Sequence, residues 1–307
     1  MKLGVTPWDL SERSAASLSA QAAAAERYGY ASFWLPENHF NDNAIPDPLM
    51  LLAAVAAGTR DIRLATTSYL LPLRNPVQAA EQVAVLDQLS CGRVVLGVGR
   101  GYAPLMLKAF NVVPRDKRRL FEDSLRWMID AWSGVPVAVG GSGDARIVLD
   151  PLPVQKPHPP IWVAAFGPKA LAQAGRLGLP YLASPVETLA TLEANYERHR
   201  AAARDAGHED QQEVPVMRTL LITRNGTDAD EVRRRVHEQA LGTGRLDEGA
   251  EVDDWCIIGE AAFVRDKVAE YRERLGMSHL IVTRLRVGGV DRAWLERSVA
   301  EAAELLG

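Results

Sequence analysis

Cysteine is scarce in this chain: 307 residues hold two, Cys91 and Cys256. That is too few for a disulfide framework, so the fold must stand on its apolar core, and a reducing, cytoplasmic setting is the expectation. Long apolar runs are missing too. None approaches the roughly 20 residues that cross a bilayer, so no membrane partner is expected. The opening MKLGVTPWDL reads as a strand and a turn rather than a signal peptide. Excess positive charge is absent: 35 Lys and Arg face 39 Asp and Glu, a formal net charge of −4, and no basic stripe marks a nucleic-acid partner. Several catalytic signatures are lacking as well. No His, Cys, Asp or Glu cluster has metal-ligand spacing, no Gly-x-Ser-x-Gly elbow presents a nucleophile, and no pair of acids stands at glycosidase spacing. The first βα turn, TPWDLSE, has no glycine, which removes the dinucleotide fingerprint of a doubly wound sheet.

What is present is a rhythm of strands and helices. Strands are expected at 2–7, 31–35, 62–71, 93–98, after the prolines of PHPPIWVAAF, and at 181–183, 214–223 and 279–285. Helices are expected from Ser14 to Gly29, from the Asp47-Pro48 pair to Gly58, and from Asn75-Pro76 to about Ser90. A cap residue followed by proline in the first turn is a helix-start signal. Further helices are expected at 117–132, from Gly167-Pro168 to Gly178, at 187–206, 229–240 and 261–275, and after Asp291, with a hairpin insertion in 134–150. Eight strands separated by helices fit a single (β/α)8 barrel over residues 1–307, with a doubly wound sheet as the rival.

In a barrel the active site lies at the C-terminal ends of the strands. Those ends offer Thr6 and Trp8; Glu37, Asn38, His39 and Phe40; Thr66, Thr67, Ser68 and Tyr69; Gly99, Arg100, Gly101 and Tyr102; Ala165, Phe166 and Gly167; Ser184; Arg218 and Thr219; and Thr283, Arg284 and Arg286. This set is aromatic, hydroxyl-bearing and partly cationic, which suits a flat, phosphorylated cofactor. Gly97, Gly99 and Gly101 alternate. They either pack closely inside the barrel or let a cofactor approach the backbone, since glycine has no Cβ in the way. Arg100 carries a fork that matches phosphate; its other reading is an ion pair with Glu37 or Glu81. His39 either bonds a neighbouring carbonyl or serves in binding or proton transfer. Cys91, at a helix end with no histidine near in sequence, reads as structural.

Three segments resemble the bacterial luciferase-like flavin monooxygenases: FWLPENHF at 33–40, LPLRNPVQAAEQVAVLDQLSCGR at 71–93 and LGVGRGY at 96–102. PPIWVAAFG and CIIGEAAFVRDKVAEY add weaker support. The resemblance implies a (β/α)8 barrel with an insertion after strand four, about 101–155, a lid loop at about 241–256, and a homodimer through the second and third helices. It implies a flavin at the barrel mouth, with a non-proline cis peptide at Thr67–Ser68 supporting the ring and Arg100 near the ribityl phosphate. The cofactor set is then Thr66, Thr67, Ser68, Gly99, Arg100, Tyr102, Phe166 and Gly167, and the catalytic candidates are His39 and Asn38.

Two positions depart from luciferase. Asn38 stands where luciferase has its catalytic histidine, so that role does not transfer and His39 is the neighbouring candidate. Ala165–Phe166 replaces a Glu–Ser pair, so phosphate contact there would come from backbone N–H groups at the Pro168 helix, with Lys169. The implied activity is that of a two-component monooxygenase. It would take reduced FMN from a separate flavin reductase and use O2 to oxygenate a small apolar organic substrate. One alternative is hydride transfer with coenzyme F420. Another is a non-catalytic flavin-binding subunit.

Overall fold

Helices begin where the sequence supplies a cap. Ser14 accepts from the Ser17 N–H, Asp47 from Leu49 and Met50, Asn75 from Val77, Thr188 from Thr191 and Asp291 from Trp294. Each bond satisfies a donor that the first helical turn would otherwise leave unpaired. The computed structural model describes residues 1–307 apart from 43, 140–144, 210–212, 242–248 and 285–286. Its strands are β1 (Lys2–Val5), β2 (Ser32–Leu35), β3 (Arg63–Thr66), β4 (Tyr69–Leu70), β5 (Val94–Gly99), β6 (Val137–Ala138), β7 (Arg146–Ile147), β8 (Ile161–Ala164), β9 (Tyr181–Leu182), β10 (Pro215–Ile222), β11 (Cys256–Gly259) and β12 (His279–Thr283). Its helices are α1 (Ala15–Arg27), α2 (Pro48–Gly58), α3 (Pro76–Leu89), α4 (Pro104–Ala109), α5 (Lys117–Trp132), α6 (Pro168–Arg176), α7 (Leu189–Asp205), α8 (Gly226–Leu241), α9 (Ala261–Leu275) and α10 (Arg292–Leu306).

The expected strands correspond to β1, β2, β3 with β4, β5, β8, β9, β10 and β12. The third is interrupted at Thr67–Ser68, whose peptide is cis. The insertion hairpin is the antiparallel pair β6–β7, with its tip outside the described residues. So are Arg286, Leu285 and much of the expected lid. Two elements went unread: α4, a six-residue helix, and β11, a buried four-residue strand. Both are too short to show a periodicity of their own.

The chain forms two compact units, one of Met1–Trp34 with Val163–Gly307 and one of Leu35–Trp162. In the first, β1 lies parallel between β12 and β2, with Val5 opposite Val282 and Phe33. β10 pairs with β12 on one side and, along its C-terminal half, with β11. The end of β8 pairs with β9, and Ala183 bridges to Val216. These parallel strands are buried on both faces, which is why they read as continuous apolar runs rather than alternations. Helix α6 comes so close to α7 that a Cβ on Gly175 would strike the His199 carbonyl oxygen.

In the second unit β3 and β4 both pair with β5. Two polar anchors hold the helices there. Arg93 donates to the carbonyls of Ala56, Thr59, Ile62 and Ser90 and to the Thr59 hydroxyl. A guanidinium thus satisfies carbonyls left open at the end of α2. Asp87, fully buried on α3, accepts from the Gln155 backbone N–H at 2.9 Å and side-chain amide at 2.7 Å. This ties the end of the insertion to α3.

Candidate active site

The second unit brings Glu37, His39, Thr66, Thr67, Ser68, Gly99, Arg100 and Tyr102 into one body with the chain that joins them. Glu37 follows β2 and is buried. Its Oε1 accepts from Arg74 Nη1 at 2.8 Å and faces His39 Nε2 at 2.9 Å, and its Oε2 accepts from the Leu70 N–H at 3.0 Å. Arg74 also donates to the Leu70 carbonyl at 3.0 Å and stacks 3.9 Å above the Tyr69 ring. Tyr69 in turn donates to Gln82 at 3.0 Å, and burial holds its phenol well above the usual range. The His39 ring sits beside Phe40, at 5.7 Å, and meets Phe110 edge-on at 4.9 Å. Phe40 is 64% exposed and Phe110 37%.

Asn38 is occupied elsewhere. Its Oδ1 accepts from the Ile45 N–H at 2.9 Å and its own N–H donates to the Ile45 carbonyl at 3.0 Å, closing the loop between them. Thr66 likewise gives its hydroxyl to the Gly97 carbonyl at 2.8 Å. Gly99, which ends β5, and Gly101, just beyond it, have structural reasons. A Cβ on Gly99 would overlap Ser68 Oγ, so close packing explains that position. Gly101 has φ +69°, and a Cβ there would lie 2.6 Å from Met106 Cε.

Arg100 is 7% exposed, with its guanidinium carbon 4.1 Å above the Phe121 ring. Burial, followed by repulsion from Arg118, pushes it down to about 10, with Glu122 opposing. Lys117, at the start of α5, donates to the Gly101 carbonyl at 3.2 Å. It is held below the ordinary lysine range by burial and then by Arg118 and Arg100. Arg118 thus acts on both cations, and an opposite charge nearby would favour their charged forms. The resemblance pointed to Arg100; Lys117 went unread because Arg100 and the Gly101 carbonyl that it meets lie 16 or more positions away in sequence. Arg74 was missed for the same reason.

Phe166 and Gly167 belong to the other unit. Phe166 is exposed, and Gly167, at φ +81°, precedes α6 with open space where its Cβ would be. Arg218 has no free edge for a ligand: it is fully buried and donates to the Tyr271 hydroxyl and to the carbonyls of Ser184, Met217 and Glu187. Thr6 and Thr283 share a hydrogen bond of 3.1 Å. Among the described residues no group of His, Cys, Asp and Glu is arranged to hold a metal ion, and no helix is long and apolar enough to cross a membrane.

The sequence model for luciferase-like monooxygenases matches residues 3–279. The chain belongs to the luciferase-like monooxygenase family. The oxygenase component of a flavin-dependent trigonelline monooxygenase from Acinetobacter baylyi is 32% identical over 152 residues. That match spans 48% of this chain and 42% of that protein. Two solved structures cover nearly all of this luciferase-like chain. The oxygenating constituent of 3,6-diketocamphane monooxygenase from Pseudomonas putida, in complex with FMN, has a TM-score of 0.83 at 20% identity over 100% of this chain and 97% of that one. A coenzyme F420-dependent tetrahydromethanopterin reductase from Methanopyrus kandleri has 0.75 at 19% identity over 99% and 97%. These likenesses show the fold, the (β/α)8 barrel.

Proposed function

We propose that this chain is the oxygenase component of a two-component monooxygenase that uses reduced FMN from a separate flavin reductase to oxygenate a small apolar organic substrate. One observation supports the reading: Arg100, buried over the Phe121 ring, has Arg118 as a repelling neighbour and itself depresses the half-buried Lys117, a cationic group that suits a phosphate, with Glu122 as the opposing charge. The choice of a flavin follows the flavin-dependent relative from Acinetobacter baylyi; the FMN-bound and F420-dependent likenesses, at 20% and 19% identity, speak for the fold alone. When bound, reduced FMN supplies the reaction with oxygen.

The chain's own residues then have distinct tasks. Arg100 and Lys117 hold the phosphate, with Gly99 and Tyr102 on the same exit loop. Thr66, Thr67 and Ser68 shape the backbone against which the ring rests. His39 handles a proton, and the exposed rings of Phe40 and Phe110 keep water from it. The chain acts as a homodimer through α2 and α3, which expose Met50, Val85 and Leu89.

Anaerobic titration with reduced FMN and, separately, reduced F420, followed by an air pulse, tests the reading. Selective binding of FMN and rapid reoxidation by oxygen support it. Selective binding of F420 without oxygen consumption makes the chain a hydride-transfer enzyme. Failure to bind either leaves a non-catalytic subunit.

A further inference from the structure

We propose that Glu37 is a positioning residue that fixes His39 as its Nε2–H tautomer, so that Nδ1 is the atom through which His39 takes or gives a proton. The inference rests on the reading of His39 as the proton-handling group. Glu37 meets three donors with two oxygens: Leu70 N–H on Oε2, and Arg74 and His39 on Oε1. Arg74 has no acceptor capacity and a backbone N–H can only donate, so both carboxyl oxygens are acceptors here. The His39 nitrogen facing Oε1 must therefore carry the hydrogen, and in the neutral ring the other nitrogen carries a lone pair.

The ring is held in this sense. Turning it by half a rotation about the Cβ–Cγ bond would replace Nε2 by a carbon and leave a buried carboxylate oxygen facing a C–H. Phe110, edge-on at 4.9 Å, and Phe40, at 5.7 Å, flank it on the remaining sides. Among the described residues no hydrogen bond reaches Nδ1, whereas Nε2 is committed. The carboxylate itself cannot drift, because Leu70 and Arg74 fasten it to the backbone that follows the Thr67–Ser68 peptide. The triad logic of an acid orienting an imidazole is thus assembled from residues that are not adjacent in the chain.

The test has a spectroscopic arm that needs neither flavin nor substrate. Long-range proton–nitrogen correlation on 15N-labelled full-length protein, with His39 assigned by its loss in His39→Asn, reads the tautomer of the neutral ring. The expected result is a protonated Nε2 and an unprotonated Nδ1, moving toward a mixture in Glu37→Gln. A protonated Nδ1 in the unmodified protein overturns the proposal. The second arm compares His39→Asn, whose amide reaches the place of Nδ1, with His39→Gln, whose amide reaches that of Nε2. The rate at which oxygen reoxidises bound reduced FMN is the readout. The asparagine variant should exceed the glutamine variant by about tenfold, the worth of one hydrogen bond. Equal rates, or a faster glutamine variant, overturn the role of Nδ1. If reduced FMN does not bind at all, the functional reading fails while the spectrum still decides the tautomer. Neither the spectrum of the unmodified protein nor the His39 pair depends on Glu37→Gln folding.

Discussion

Replacing Arg100 by methionine should move stability and cofactor affinity in opposite directions. Burial over Phe121 and then repulsion from Arg118 push the guanidinium pKa down to about 10. A tenfold change in a protonation equilibrium is worth about 1.4 kcal/mol, so holding the group charged in the cofactor-free protein costs roughly 3 kcal/mol as an upper bound. The contact with the Phe121 ring returns about 1 kcal/mol. Methionine keeps an apolar stem on that ring and removes the charge. The cofactor-free variant should therefore gain up to about 2 kcal/mol, a rise of a few degrees in Tm for a chain of this size.

Binding goes the other way. A charge-assisted contact between guanidinium and phosphate is worth about 1.5–3 kcal/mol, so reduced FMN should bind roughly 10- to 150-fold more weakly. Riboflavin, which has the same ring and no phosphate, should be nearly unaffected. Calorimetric Tm without cofactor and anaerobic titration with both flavins are the assays. Equal losses for FMN and riboflavin would mean that Arg100 shapes the pocket without touching phosphate. A lower Tm would mean that the charge is stabilising where it stands, which would refute a net cost of burying it.

Three further outcomes follow from the same structure. Gly99→Ala should destabilise by about 1–3 kcal/mol, as overpacking does, because the new Cβ overlaps Ser68 Oγ and lies 3.1 Å from Ser68 Cβ; urea unfolding with an unchanged midpoint would refute the contact. His199 is held below its ordinary 6.5 chiefly by burial and next, in the same direction as burial, by Arg200, against the pull of its bond to the Leu179 carbonyl. The native state resists its protonation while the unfolded chain accepts it, so stability is full above pH 6.5 and falls as pH drops through the depressed value. His199→Gln should flatten that acid limb in denaturation curves taken between pH 8 and about 5; an identical slope in both proteins would count against it. The proposed homodimer through α2 and α3 is tested by Met50→Glu combined with Leu89→Glu: light scattering should read twice the chain mass for the unmodified protein and the single-chain mass for the variant, and any other pair of masses would remove α2 and α3 from the interface.

Local chemistry carried much of the fold. Asp47-Pro48 and Asn75-Pro76 mark their helices because capping involves only neighbours along the chain. Where two readings competed for one stretch, the loser was the one that ignored what lay across the fold. Glu187 looked like a helix start; Thr188 caps α7 instead, and the Glu187 carboxylate turns inward to Tyr181, Ser184 and Asn195. Arg218 looked like a ligand-facing residue at a strand end, but a strand buried on both faces gives no alternation to say which way a side chain points. The break at Thr67–Ser68 was invisible in RLATTSYLL and came from the family resemblance alone.

The candidate site follows the same rule. Its lone residues, His39 and Arg100, stood out as residue types that need a reason at a strand end. The pairing behind His39 did not, because Glu37 and Arg74 meet across 37 positions and no periodicity spans that distance. Asn38 shows why the distinction matters. The resemblance puts a catalytic slot there, yet its side chain and backbone both clasp Ile45 and fasten the loop that carries His39. On the proposed reading the proton-handling task falls to the next residue, the one that Glu37 reaches.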